Sequence, residues 1–176
     1  MRHALDLLLE IKIIVASLTY DGCSTNLSTS QNLGCSFDVD KLNIKLTSCT
    51  KNNANAEIVV LLDDVHMIKL VRNSFSEQKI FIDKDDITID FNFIFELFIL
   101  QEQEGCHLAN KLRKSHIYYF KQKMKVKLTT QLLSQSVADA LRFCKYNLNL
   151  ENFSDVDATI KFIEIFNNAL YTTFQG

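Results

Sequence analysis

Apolar residues recur along this chain with two different periods, and the change between them organises it. IKIIVAS at residues 11–17 and EIVVLL at 57–62 are nearly continuous apolar runs rich in β-branched residues, the pattern of strands covered on both faces. Elsewhere apolar positions fall three and four apart, which is the helical spacing. Ala4, Leu7, Leu8 and Ile11 predict a short helix over 2–10 that feeds a buried strand over 11–19. Residues 24–33 read as a helix ended by Gly34, and 35–56 as a polar, Asn-rich irregular excursion. After the 57–62 strand, DDVHMIKLVRNSF reads as a helix with Val65, Ile68, Leu70 and Val71 as its buried stripe.

Residues 79–88 form a short polar connection with some β character, and FNFIFELFIL at 91–100 is apolar nearly all round. It reads as a buried helix, with a strand as the alternative. Residues 108–112 suggest a further helical turn, and the aromatics of SHIYYF are expected to plug the core. The most periodic stretch is 121–146, where Met124, Leu128, Leu132, Leu133, Val137, Ala140, Leu141 and Cys144 predict one long helix. A last helix over 155–173 presents Val156, Ile160, Ile163, Phe166, Ala169 and Leu170. The expected class is a helix-rich α/β chain, and an opening helix that leads straight into a buried strand suggests a chain that starts in mid-fold.

Composition sharpens this picture. The 176 residues contain no Pro and only 4 Gly, which disfavours a turn-rich β-sandwich. Thirteen Phe and no Trp give a core of rings without polar handles. The net charge of −2 argues against a uniformly basic nucleic-acid binder but leaves local patches open. The 5 cysteines are scattered, with neither a CxxC pair nor a Cys/His zinc spacing, and fit reduced intracellular thiols. No stretch has the length and apolarity of a membrane span or a signal peptide.

Candidate chemistry lies at strand ends and in one basic run. The first apolar run leads to Asp21 and Gly22, where a carboxylate can serve as a working acid or form a turn. Asp63 and Asp64 follow the second strand and can cap the next helix or face a metal. Lys111, Arg113, Lys114, Lys121, Lys123, Lys125 and Lys127 have no acidic residue among them. They can meet DNA backbone, meet nucleotide phosphates, or simply solvate the surface. His66 and His116 are open to roles as ligands, general bases or local hydrogen-bonding groups.

The strings VASLTYDGCSTN, DDVHMIKLVRN, EGCHLANKLRKSHIYYFKQKMKVKLTTQLLSQSVADALRFC and ATIKFIEIFNNAL follow one another along nearly the whole chain. In that order they resemble transposases of the P-element type, including their THAP-domain relatives. The resemblance implies a partial RNase H-like α/β unit over 1–62 followed by a mostly helical, GTP-binding insertion domain over 63–176. It implies a DDE/D-class acid at Asp21, which would hold Mg²⁺ for in-line attack on a phosphodiester. It further implies GTP and transposon-end DNA as partners, a possible homo-oligomer and a nuclear location.

Departures from the family pattern shape the expectation. The family's first acid belongs upstream of the opening helix and its last acid well beyond the final one, which here reads ALYTTFQG. Asp21 would then be one of three catalytic acids, and the expected chain is a transposase fragment or decayed copy inactive alone in strand transfer. Its enzymatic status stays open, with DNA nicking after completion, or a ligand-free helical relic, as alternatives. A phosphate loop is absent, and Asn110-Lys111-Leu112-Arg113 lacks the final Asp of the guanine-reading NKxD pattern. Lys125, Ser134, Ser136 and Asp139 are the candidate GTP contacts, against the plainer reading of a solvated helix face. Arg72 and Asn73 match the family's RN pair, as an anchor for the insertion or a phosphate contact.

Overall fold

The computed structural model describes residues 1–49, 55–105, 108–109 and 111–174. The chain divides into two compact units, residues 1–67 and 68–176.

The first unit holds helix α1 (Arg2–Glu10), strand β1 (Ser17–Tyr20), helix α2 (Ser24–Asn32) and strands β2 (Lys45–Cys49) and β3 (Asn55–Leu62). The sheet runs β1-β3-β2. β1 lies parallel to β3, with Ser17 opposite Val59 and Tyr20 opposite Leu62, while β2 is antiparallel to β3. Leu5, Cys35, Leu46, Ile58 and Val60 form its core, with Val15, Leu18 and Phe37 packed against them.

Two sequence expectations need correction here. The first apolar run is not a long buried strand: only 17–20 are strand, and Ile11 and Ile14 are 66% and 75% exposed. Among the described residues β1 is an edge strand bonded to β3 alone, and Lys12 turns the chain out of α1 with φ of 62°; the pairing reaches back only to Ala16, whose carbonyl accepts the Val59 N–H at 3.0 Å. The segment expected to be irregular contains β2, whose exposed Lys45 reaches Glu57 on β3 at 2.7 Å. Residues 50–54 of that segment lie outside the described residues.

Helix α3 (Asp64–Gln78) leads into the second unit, which continues with a hairpin of β4 (Ile80–Ile82) and β5 (Thr88–Asp90) and then α4 (Asn92–Glu104). The short α5 (Lys114–Ile117) is followed by α6 (Val126–Leu132), α7 (Gln135–Tyr146) and α8 (Asp157–Phe174). Phe75, which is fully buried, sits among Phe81, Phe91 and Phe162 with ring centroids 5.2, 5.3 and 4.8 Å away. Rings without polar atoms can stack in this way with no hydrogen bond left unmet. Leu97, Leu133, Val137, Leu141 and Ile163 complete the core, all at 0% exposure.

FNFIFELFIL is helical, as part of α4, and the strand alternative falls. Gly105 ends it in the left-handed region with φ of 66°. The stripe of α3 runs through Ile68, Arg72 and Phe75, leaving Leu70 42% exposed. A buried arginine in that stripe hid it from an apolar count. Leu108, Ala109 and Lys111 form bends and a turn instead of a helix, with Asn110 outside the described residues.

The expected single helix over 121–146 is three pieces: a 3-10 turn at Phe120–Gln122, then α6 and α7. Leu133 and Ser134 leave helical geometry, with ψ of 47° and 155°. The break lets Leu132 and Leu133 both reach 0% exposure, which one straight helix would not place on one face. Met124, assigned to the stripe, is 68% exposed. Of the SHIYYF aromatics only Tyr119 plugs the core, while Tyr118 and Phe120 lie outside it. On α8, Ala169 is exposed, whereas Asn167 is buried.

Leu141→Ala is expected to cost the second unit about 2–5 kcal/mol in urea unfolding. Ile14→Ala, at an exposed position, should shift the first unit by no more than about 0.5 kcal/mol.

Candidate functional site

Asp21 follows directly on β1 and Asp63 directly on β3. Because Tyr20 pairs with Leu62 in parallel register, the two carboxylates leave adjacent strands at the same end of the sheet. Asp21 is exposed, and its Oδ1 accepts the Cys23 N–H and the Asn26 Nδ2–H, each at 3.2 Å. The Cys23 N–H, chief among its neighbours, holds its carboxyl below the ordinary aspartate value. Gly22 makes the turn with φ of 68°, and a Cβ there would stand 3.4 Å from the Met67 sulfur. Asp63 Oδ1 and Asp64 Oδ1 both accept the Val65 N–H, at 3.0 and 2.8 Å, as caps of α3.

A working metal pair needs several convergent oxygen ligands. Among the described residues no group of three or more His, Cys, Asp or Glu is placed to hold an ion. The carboxylates present therefore do not fit a two-metal centre by themselves. Sequence reasoning missed Asn26, which orients Asp21 from one helical turn away.

The basic residues belong to the second unit. Lys111, Arg113, Lys114, Lys121, Lys123, Lys125 and Lys127 are all exposed. Arg113 is the N-cap of α5 and Lys125 that of α6. Lys123 lies 3.7 Å from Glu77, whereas Lys114, Lys121, Lys125 and Lys127 make no ion pair with a described residue. The middle of this run is tied to α3 by Arg72, at 0% exposure, whose Nη2 donates to the carbonyls of Gln122 and Lys123 at 3.2 and 3.1 Å. Asn73 Nδ2 donates to the same Lys123 carbonyl at 3.3 Å. Arg72 also lies 5.6 Å from the Tyr119 ring centre.

Among the described residues no carboxylate answers this guanidinium, and its Nε and Nη1 have no hydrogen-bond partner; nor have Ser76 Oγ, Tyr119 Oη and Thr129 Oγ1. Burial lowers the Arg72 pKa from its ordinary value. Next to it, buried His116 accepts the Arg113 N–H on Nδ1 at 2.9 Å. Burial is also the main cause of a lowered His116 pKa, with the Arg72 and Arg113 charges adding to it.

The remaining candidates gather at the α6–α7 break. Ser134 Oγ donates to the Gln131 carbonyl at 2.7 Å and lies 3.0 Å from Ser136 Oγ. The Gln135 N–H is held by Asn167 Oδ1 at 3.1 Å. Asp139 accepts from Gln135 Nε2 at 2.9 Å and Arg142 Nη1 at 2.8 Å, and Arg142 also pairs with Glu164. Lys125 stands at the other end of α6, so the structure separates it from the two serines and Asp139. A groove of about 450 Å³ between α4 and the 149–153 turn contains none of these residues. It is lined by Glu96, Glu151, Asn149 and Asn152 over an apolar floor, an acidic setting unsuited to a nucleotide's phosphates.

The fold and these sites define a transposase-like chain with a helical insertion unit, and comparison with known proteins agrees. The model of the family described as TNP-like, GTP-binding insertion domain matches residues 65–172. Human DNA transposase THAP9 is 29% identical over 184 residues, covering 100% of this chain and 19% of the relative. The Transposable element P transposase of Drosophila melanogaster is 32% identical over 132 residues, 66% of this chain and 16% of the relative. Among solved structures, the Drosophila P element transposase strand transfer complex matches with a TM-score of 0.75 at 27% identity, over 94% of this chain and 36% of that one. The chain thus belongs to the TNP-like, GTP-binding insertion domain family and is similar to transposases of the P-element type. It spans a fifth or less of the length of these two transposases.

Arg72→Ala leaves a cavity, removes the side-chain donor to the Gln122 carbonyl and leaves the Lys123 carbonyl to Asn73 alone, and is expected to cost about 3 kcal/mol in urea unfolding of the second unit. Because His116 binds its proton more weakly folded than unfolded, the unfolded chain takes up more protons below the ordinary value of about 6.5. Stability is therefore full above that pH and declines as pH falls from it toward the lowered folded value. His116→Gln should flatten that decline in a pH series of melting curves.

Proposed function

We propose that the second unit binds GTP. The observation that carries this reading is the family match over residues 65–172. The donor set suits the ligand: a run of exposed cations free of acidic residues in sequence, tied through its backbone to a buried arginine. In this reading Lys111, Arg113, Lys114, Lys121 and Lys123 attract phosphates, of GTP or of transposon-end DNA. Ser134, Ser136 and Asp139 contact the nucleotide at the α6–α7 break, the two serines as neutral hydrogen-bonding groups and Asp139 as an acceptor for a base N–H, while Lys125, at the other end of α6, reaches its phosphates. Residues 63–176 then constitute the insertion domain and 1–62 part of an RNase H-like core. The chain alone does not carry out strand transfer, and as part of a THAP-related transposase it would work in the nucleus, possible pairing of copies included.

A second reading is favoured by Asp21 and Asp63 at the ends of parallel strands. Completed by further carboxylates from a longer protein, Asp21 would contribute to an Mg²⁺ site for DNA nicking or joining. With Mn²⁺ and such segments supplied, Asp21→Asn is expected to abolish nicking; equal activity of both forms removes Asp21 from the chemistry.

GTP at a hundredfold excess over its Kd should stabilise the native second unit by about 2.7 kcal/mol, read as a rise of several degrees in its melting midpoint. An unchanged midpoint up to millimolar GTP with Mg²⁺ would overturn the nucleotide reading.

A further inference from the structure

We propose that residues 114–127 form a platform for single-stranded nucleic acid, with unpaired bases stacking on Phe120 and Tyr118 and lysines holding the phosphates. The inference rests on the reading of these lysines as phosphate contacts and adds to it the exposed rings beside them. Phe120 is 69% exposed, Tyr118 56% and Met124 68%, three large apolar side chains within seven residues that the core does not use. They alternate with exposed Lys114, Lys121, Lys123, Lys125 and Lys127. Aromatic faces interleaved with cations are what an unpaired, charged polynucleotide requires, since every base offers a π-face and every linkage a negative charge.

The platform is built rather than loose. Tyr119, between the two exposed rings in sequence, is 1% exposed, and Phe120 stacks on it with centroids 4.7 Å apart and planes 26° from parallel. Tyr119 is in turn held beside the buried Arg72 guanidinium, which also fixes the Gln122 and Lys123 carbonyls. Phe120 is therefore the outer leaf of a supported ring stack. Lys114 lies 5.6 Å from the Tyr118 ring, so cation and aromatic meet there too. The acid facing this surface from α3 is Glu77, which engages Lys123 at 3.7 Å and leaves the other lysines to phosphate. A double helix hides its base faces, so the exposed rings distinguish a single strand from a duplex.

Anisotropy titrations of a labelled oligothymidylate, the duplex of equal length and inorganic polyphosphate test this on the whole chain. The single strand should bind more tightly than either competitor, with affinity falling as salt rises. Tyr118→Ala/Phe120→Ala alters exposed rings only; it should weaken the single strand at least about tenfold while leaving polyphosphate binding and the GTP-induced thermal shift unchanged. Lys121→Glu/Lys125→Glu should weaken both polyanions. Single-strand binding no tighter than polyphosphate or duplex, or full affinity in the double-alanine variant, would overturn the proposal. The GTP shift reads out separately, so loss of one result does not entail loss of the other.

Discussion

A guanidinium enclosed by protein, with no carboxylate beside it among the described residues, is the constraint on which the second unit's basic run depends. Burying an unpaired charge is costly, and here two backbone carbonyls and an aromatic ring offset part of that cost. Those carbonyls belong to Gln122 and Lys123, at the point where the chain leaves a 3-10 turn for α6. Arg72 therefore does more than fill space. It holds the middle of the basic run in one conformation, with cations outward and Tyr119 inward, and a preorganised cationic surface binds an anion with less ordering to lose.

The two units divide the chemistry by charge. In the first, Asp21 and Asp63 stand at neighbouring strand ends, each already engaged by local N–H groups. In the second, the cations gather at helix N-caps, in first turns and in the short segments between helices, while Asp139 and Glu164 share Arg142 in their own network. Negative groups that hold metal and positive groups that hold phosphate are the two halves of phosphoryl chemistry. In the readings proposed above, the first unit would contribute to one of them and the second to the other.

Much of this was legible in the sequence where a single local rule decides the outcome. EIVVLL had to be a strand, FNFIFELFIL read as a buried helix, and an Asp-Gly pair after an apolar run marked Asp21. What escaped depended on partners distant in sequence. IKIIVAS has the composition of a buried strand, but only its last residue, Ser17, lies in β1, which has one sheet neighbour among the described residues. The period of 121–146 continues in phase through Ser134, so counting could not register a break that only the packing of Leu132 and Leu133 requires. Arg72 sat on a face assigned by its apolar neighbours, and Tyr118 and Phe120 were credited to the core because aromatic character says nothing about which ring faces water.

The central claim is that the basic run held by Arg72, together with the α6–α7 break, is where a guanine nucleotide sits. Amide chemical shifts of the labelled chain titrated with GTP and Mg²⁺ test it most directly. The account predicts saturable shifts concentrated in residues 111–127 and 134–139. Shifts confined to the groove between α4 and residues 149–153, or no saturable shift, would contradict it.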